Sequence, residues 1–420
     1  MKRLQIERLG ARGEGIATDG DKRVYVPYAL PGETVNAEIE GDHARLIGIV
    51  DAAPDRIAPF CPHYARCGGC AVQALRDDAY KEWKRGLVVA ALRNAGLPAD
   101  VAPLVDAHGA GRRRVTFHAR MERGVARVGF MAARSHDIVE IDACPLLVPE
   151  LSGALVAARA LAQILASRGK PLDLSFTATL EGMDVDIRGP GPLEDHEAGA
   201  LVKAAQAHGL ARLSNHGRLV ALRRAPLVHV GSARVPVPPG SFLQATQAGE
   251  EAIAARVLEA VGAAKRVADL FCGVGAFALR LAANARVSAY DSSAEAVEAM
   301  FSGARAAAGL KPMDGGARDL FARPLSAKEL APFEALVFDP PRAGALAQVT
   351  EIAKSEVGVV VAVSCSAQSF ARDAAILLTG GYSMGEIVPI DQFRHSPHVE
   401  IVAHFSRGDG RKRPKRALLG

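Results

Sequence analysis

The chain has 420 residues, of which 49% are hydrophobic and 23% charged, and its net charge is +5. That length predicts two or three domains, and the composition excludes a disordered chain. No apolar run approaches the ~20 residues that span a bilayer, and MKRLQIERLGARGEG lacks the apolar core of a signal peptide, so a cytoplasmic protein without a membrane partner is expected.

In chain order, residues 3–52 predict short strands. Leu4 and Ile6, Val24 and Val26, then Val35, Ala37 and Ile39 alternate with polar neighbours, and GARGEG, TDGDK, PGE and EGDH supply turns. Five such strands suggest an OB-like barrel over 1–56. An irregular loop, RIAPFCPHYARCGGC, follows. Tyr80, Trp83, Leu87 and Ala91 then recur at helical spacing, with Gly96 as a stop. Residues 57–235 read as a middle α+β region without a catalytic signature of its own. It contains an arginine-rich stretch, GRRRVTFHARMERGVARVGFMAAR, whose single acid is Glu122. With the basic tail RKRPKR in 409–420, this stretch fits a polyanion partner, and Arg112, Arg113 and Arg114 are expected to contact phosphate.

From 236 to 408 strands and helices alternate and the strands read as continuous apolar runs. This predicts a doubly wound α/β sheet buried on both faces. VADLFCGVGAFALRLA puts Asp269, Gly273 and Gly275 around the turn between the first strand and its helix. RVSAYD then ends the second strand in Asp291, where an acid would take a ribose hydroxyl pair. There is no third glycine and no phosphate-loop lysine. The acid-x-x-x-Gly-x-Gly form resembles the S-adenosylmethionine site of class I methyltransferases.

VFDPPRAG ends the fourth strand, at the edge where open α/β sheets bind ligands. Arg342 stands where an amino-group methylase would carry an aromatic, which favours a charged contact instead. In VAVSCSAQSFARD, Cys365 ends the fifth strand at a helix N-terminus, a position expected to lower a thiol's pKa. FRHSPHVEIVAHF places Glu400 at the start of the last strand. A thiol and a carboxylate beside a methyl donor suit carbon 5 of uracil. Thiolate addition at carbon 6 makes an enolate whose carbon 5 attacks the methyl group, and a base must then remove the carbon 5 proton.

Four of the six cysteines remain once Cys365 and the cofactor-loop Cys272 are set aside. Cys61, five residues, Cys67, two residues, Cys70, 73 residues and Cys144 form one tetrad. In a reducing compartment disulfides are not expected. By spacing alone the tetrad suits zinc or an iron–sulfur cluster, and His63 can replace one thiol.

DLFCGVGAF, DPPRAG, SCSAQSFARD and HSPHVE resemble the motifs of the RNA 5-methyluridine methyltransferases, closest to the branch acting on 23S ribosomal RNA. GARGEGIATDGDKRVYVPYALPGE resembles that branch's TRAM barrel. The resemblance covers nearly the whole chain in order. It implies Cys365 as nucleophile and Glu400 as base. It implies S-adenosylmethionine contacts at Gln244, Phe271, Asp291, Asp319 and Asp339, with Gly273 and Gly275 in the same loop. It implies a [4Fe-4S] cluster on Cys61, Cys67, Cys70 and Cys144, structural since the chemistry has no redox step. A monomer acting on RNA is expected, on rRNA before tRNA. The family's usual Asn after Gly275 is Ala276 here, and SCNP has become SCSA. Two other readings compete. A non-catalytic RNA-binding assembly factor would not need the Cys and the carboxylate. A DNA cytosine-5 methylase usually carries its Cys after the fourth strand rather than the fifth.

Overall fold

The computed structural model describes residues 1–98 and 100–408. The basic tail, 409–420, lies outside the described residues. Strands Lys2–Leu9, Gly15–Asp19, Lys22–Val26, His43–Asp51 and Thr34–Glu40 neighbour one another in that order and close into a small barrel. Leu4, Ile6, Val24, Val26, Val35 and Ala37 fill it. These are the alternating positions that a strand points to one side.

The middle of the chain builds a seven-stranded sheet. Its order is Arg218–Leu222, Arg212–Asn215, Gly182–Arg188, Leu172–Thr179, Arg114–Glu122, Val125–Met131 and Ile138–Glu140. Helices Ala154–Ile164 and Asp195–Ala207 pack on it. Leu155, Leu161 and Leu201 meet Phe117, Phe176 and Val185 in one core.

The third layer is an eight-stranded sheet ordered Met313–Ala317, Arg286–Asp291, Arg266–Leu270, Ala335–Phe338, Val359–Ser364, Glu400–Ser406, Ser383–Asp391 and Val105–Asp106. The first five strands are mutually parallel, and the last two long strands run antiparallel. Separate apolar cores cover its two faces. Strand Arg266–Leu270 has the second strand on one side and the fourth on the other, so the chain order reverses beside it. That is where open α/β sheets leave a crevice at their C-terminal edge.

Helix Asp77–Asn94 was expected within the middle region, and it joins this third layer. Val88, Ala91 and Leu92 enter the core beneath helix Ala367–Thr379, and Val105–Asp106 adds an edge strand beside Ser383–Asp391. Its buried face is Tyr80, Lys84, Val88, Ala91 and Leu92 rather than the predicted stripe through Trp83 and Leu87. The cause is ionic. Lys84 is 0% exposed and pairs with Asp391, which also accepts the Tyr80 hydroxyl. Lys84 also donates to the Phe393 carbonyl at 3.1 Å, and these two partners let a lysine be buried where hydrophobicity would keep it out. Among the described residues no helix is long and apolar enough to cross a membrane.

Candidate active site

The crevice opens into a cavity of about 920 Å³. Phe271, Gly273, Asp291, Asp339, Gln244, Cys365 and Glu400 all line it. The volume is at the upper end for a small-molecule site. Sequence reasoning split these residues between a cofactor site and a reacting centre, and the fold puts both in one space.

The cofactor end is built on a strained turn. Phe271 follows strand Arg266–Leu270 at φ +62, an unfavourable backbone state for an aromatic residue. This turns the chain so that the Gly273 N–H donates to Asp291 Oδ2 at 2.9 Å. Asp291 Oδ1 accepts the Ser293 N–H at 2.8 Å, so both carboxylate oxygens are held. The rings of Phe271 and Phe321 pack against each other at the cavity wall, 5.5 Å apart and tilted by 56°, and form one apolar surface.

Gly275 and Asp319 do not line the cavity. Gly275 sits at φ +91, and a Cβ there would come within 2.5 Å of Met300 Cγ. Its task is to let the loop pack on helix Ala294–Ala306. Asp319 is exposed, and its Oδ1 accepts the N–H groups of Phe321 and Ala322 at 2.9 and 3.2 Å. It therefore shapes the turn that presents Phe321.

At the reacting end, Glu400 is 3% exposed. Gln392 Nε2 donates to Glu400 Oε1 and to Gln244 Oε1, and Gln244 Nε2 donates to Asp339 Oδ2 at 3.0 Å. One chain of amides thus joins two buried carboxyl groups. Burial pushes both carboxyls up, and for Asp339 the charge of Glu400 adds to the effect. Cys365 lies between the end of its strand and Ser366, whose hydroxyl caps helix Ala367–Thr379. The expected lowering of its pKa is reversed. Burial, then Glu400 and Asp339, push the thiol up to about 11, and Arg342 acts against them. A helix terminus is worth less than desolvation beside two carboxyl groups. Arg342 is exposed and reaches His398 Nε2 at 3.2 Å, so a charge does sit at the cavity wall as the sequence suggested.

The arginine cluster is corrected more fully. Arg113 is buried, pairs with Glu250, and donates from Nε to the Gln244 carbonyl at 3.0 Å. Arg114 donates to the Leu243 carbonyl at 2.9 Å and lies over the Phe242 ring. Both hold the segment carrying Gln244 rather than facing phosphate. Of the three, Arg112 keeps a buried guanidinium nitrogen, Nε, without a partner, and it lies over the Phe393 ring. Gln392, Phe321 and Phe393 were missed in the sequence. The one signal was a glutamine directly after a buried apolar strand.

The four remaining cysteines come together. Cys61, Cys67, Cys70 and Cys144 are free thiols lining one cavity of about 260 Å³, with His63 and Arg112. Burial pushes the Cys67, Cys70 and Cys144 thiols up. Among the described residues, no three His, Cys, Asp or Glu side chains converge tightly enough to hold a single metal ion. The thiols ring a space instead.

No established family profile matches the chain. An uncharacterized RNA methyltransferase of Brucella suis is 47% identical over 406 residues, covering 96% of this chain and 98% of its own. Another, of Caulobacter vibrioides, is 42% identical over 418 residues, covering 97% and 100%. The 23S rRNA (uracil(1939)-C(5))-methyltransferase RlmD of Halomonas elongata is 32% identical over 446 residues, covering 99% and 92%. Among solved structures, a Pyrococcus abyssi tRNA (uracil-54, C5)-methyltransferase, determined with S-adenosyl-L-homocysteine, shares the fold. Its TM-score is 0.73 at 22% identity, over 96% of this chain and 100% of that one. With full-length relatives at these identities, and with its motifs gathered at one sheet edge, the chain belongs to the RNA 5-methyluridine methyltransferase family, whose members are S-adenosylmethionine-dependent enzymes.

Proposed function

We propose that the protein methylates carbon 5 of one uridine in 23S rRNA through a covalent Cys365 adduct. The observation that carries this reading is the single cavity shared by Asp291, Asp339, Cys365 and Glu400. The relative that names 23S rRNA aligns with 99% of this chain, which supports rRNA over tRNA. In this reading residues 1–56 are a TRAM barrel, 57–235 the middle region apart from Asp77–Asn94 and Val105–Asp106, which pack with the last sheet, and 236–408 the methyltransferase domain. The protein works as a monomer in the cytoplasm.

When bound, S-adenosylmethionine supplies an electrophilic methyl group on a cationic sulfur. Asp291 would take the ribose hydroxyls, and the joined Phe271 and Phe321 rings would give the base an apolar surface to lie against. Gln244 and Asp339 face the reacting end. The Cys365 thiol gives up its proton to solvent as Sγ bonds to carbon 6 of the uracil, and the electrons of the carbon 5–carbon 6 double bond move into an enolate. Carbon 5 then takes the methyl group. Glu400 removes the carbon 5 proton, the double bond re-forms, and the bond to sulfur breaks. The target base must leave its stack to reach Cys365.

Cys61, Cys67, Cys70 and Cys144 would hold a [4Fe-4S] cluster. Four free thiols lining one cavity support a shared cofactor there, and the family resemblance favours a four-iron cluster over zinc. It would tie the loop to the segment after strand Ile138–Glu140 and takes no part in the chemistry.

The test incubates the purified protein with methyl-labelled donor and unmodified 23S rRNA or tRNA transcripts. Label in 5-methyluridine of 23S rRNA is expected. Label in tRNA alone would move the substrate, and donor binding without methylation of either would favour an assembly factor.

A further inference from the structure

The loop from Gln392 to Val399 separates two cavities. Phe393 and His398 line the catalytic one, and Arg394 and His395 line a second of about 290 Å³. Phe60, Tyr80 and His108 complete the wall of the second. No step of methyl transfer uses it.

Two observations mark it as a built site. His108 and His395 are each 8% exposed, and the Nδ1 of both lacks a hydrogen-bond partner. Buried polar atoms are nearly always paired; these two Nδ1 atoms are themselves closed off, so it is the rest of each imidazole that lines the cavity and leaves it a polar wall. Phe60 is 55% exposed, and its ring lies 5.4 Å from that of His395. A large ring left open beside an imidazole offers a flat stacking surface.

The electrostatics narrow the ligand. Burial, then Arg394, holds His395 down to about 4. Burial, then Arg112 and Arg394, lowers His108 as well. Both rings are therefore neutral near pH 7, and a neutral imidazole carries one donor and one acceptor. Such a site does not select an anion. It suits a flat, uncharged group with donors and acceptors on its edge. Arg394 lines the cavity too, but it is paired with Asp77 at 3.5 Å, so the rim carries no unpaired charge from this pair and the uncharged edge of a ligand suits it.

We propose that this cavity takes an unstacked nucleobase of the RNA, near the target uridine, with Phe60 on its face and His108 and His395 towards its edge. The proposal rests on the uridine-methyltransferase reading. Single-stranded RNA is commonly held by stacking splayed bases on aromatic rings. The loop geometry supplies the pairing, since neighbouring residues of one loop face the two cavities.

The experiment uses whichever unmodified transcript, 23S rRNA or tRNA, the wild-type protein methylates. Phe60→Ala and His108→Ala are assayed for RNA affinity, and for adduct formation at saturating 5-fluorouridine RNA. Ultraviolet crosslinks of the wild type are mapped by mass spectrometry. Phe60→Ala is expected to bind about tenfold more weakly. Its adduct yield at saturation should be unchanged, and wild-type crosslinks should fall on the peptides carrying Phe60 or His395. Unchanged affinity in both variants, or crosslinks confined to the barrel and the Cys365 cavity, would overturn the second-base site alone. Failure of the wild type to methylate either transcript overturns the uridine reading and this proposal with it.

Discussion

Gln392 Nε2 donates to Glu400 Oε1 at 3.1 Å, and the same amide reaches Gln244 Oε1 at 2.6 Å. The proposed base is thus held by a side chain that also holds Gln244, which in turn donates to Asp339. A donor to a carboxylate favours its charged form, and Gln392 acts in that direction on Glu400. Gln392→Leu removes the donor while keeping the volume. Glu400 has a raised pKa of about 7, so turnover of the wild type should rise with pH through that value. In Gln392→Leu the rise should move to higher pH, with kcat at neutral pH lower by about tenfold. A lowered kcat with an unmoved pH profile would mean that Gln392 is only packing.

Asp269 gives the empty protein an inverted pH dependence. It is fully buried, and neither oxygen has a hydrogen bond of good geometry. Burial, and then the Asp291 charge, pushes it up to about 8, with only the Ala278 amide acting against them. An unfolded aspartate titrates near about 4. Between these values the folded state holds a proton that the unfolded state has lost, so stability falls as pH rises. Without ligand, the melting temperature should drop by roughly 5 °C between about pH 5 and about pH 8. Asp339 and Glu400 are raised in the same sense and add to this slope, so Asp269→Asn should make it shallower without abolishing it, and an equal slope in the variant would assign it to those other groups.

The arginine correction has a measurable side. Arg113 is paired with Glu250 in the interior, and Glu250 also meets Arg280 at 2.9 Å. Arg113→Ala leaves a buried carboxylate short of one partner and frees the Gln244 carbonyl. Breaking such a pair costs about 3 kcal/mol. The variant should therefore melt earlier and bind the methyl donor more weakly. Its RNA affinity should keep the wild-type salt dependence, because a phosphate contact would be worth about 0.7 in slope on single strands. A flattened slope would restore Arg113 to the RNA interface.

Much of this was legible because it is periodic or local. The barrel follows from alternating strands, and the α/β sheet from apolar runs ending in Asp291, Asp339 and Cys365. The misses share one cause: partners far apart in the chain. Gln392 and Gln244 are 148 residues apart, and Lys84 and Asp391 are 307 apart. The Cys365 thiol was misjudged because the helix terminus is local, whereas Glu400 and Asp339 reach it only through the fold. Asp319 and Gly275 sit next to lining residues, and sequence pattern cannot separate a residue that lines a cavity from one that shapes its neighbour.

The cysteine ring predicts colour. Purified without oxygen, the protein should be brown and contain iron, and a colourless protein with one zinc would reject the cluster. Cys144→Ser should lose the colour and loosen the loop from the middle sheet. The eight-stranded sheet should still fold, because its cores draw on none of the four cysteines. Loss of methyl-donor binding in that variant would contradict this separation.

The two reacting residues give the sharpest separation of enzyme from binding protein. Cys365→Ala removes the thiol on which the Glu400 and Asp339 charges act, while the cavity's other described cysteine, Cys272, is buried in the cofactor loop. Methyl transfer and any covalent RNA link should vanish, while donor binding through Asp291 persists. Glu400→Gln should behave differently. Addition and methylation proceed, but the carbon 5 proton has no acceptor, so a methylated RNA–protein adduct should accumulate and survive a denaturing gel. A 5-fluorouridine RNA should trap the unaltered protein in the same way, because fluorine cannot leave as a proton. Glu400 is also buried and bonded to Gln392, so Glu400→Gln keeps the shape and changes only the charge. Normal turnover in Glu400→Gln without an adduct, or methylation by Cys365→Ala, would rule out this division of labour.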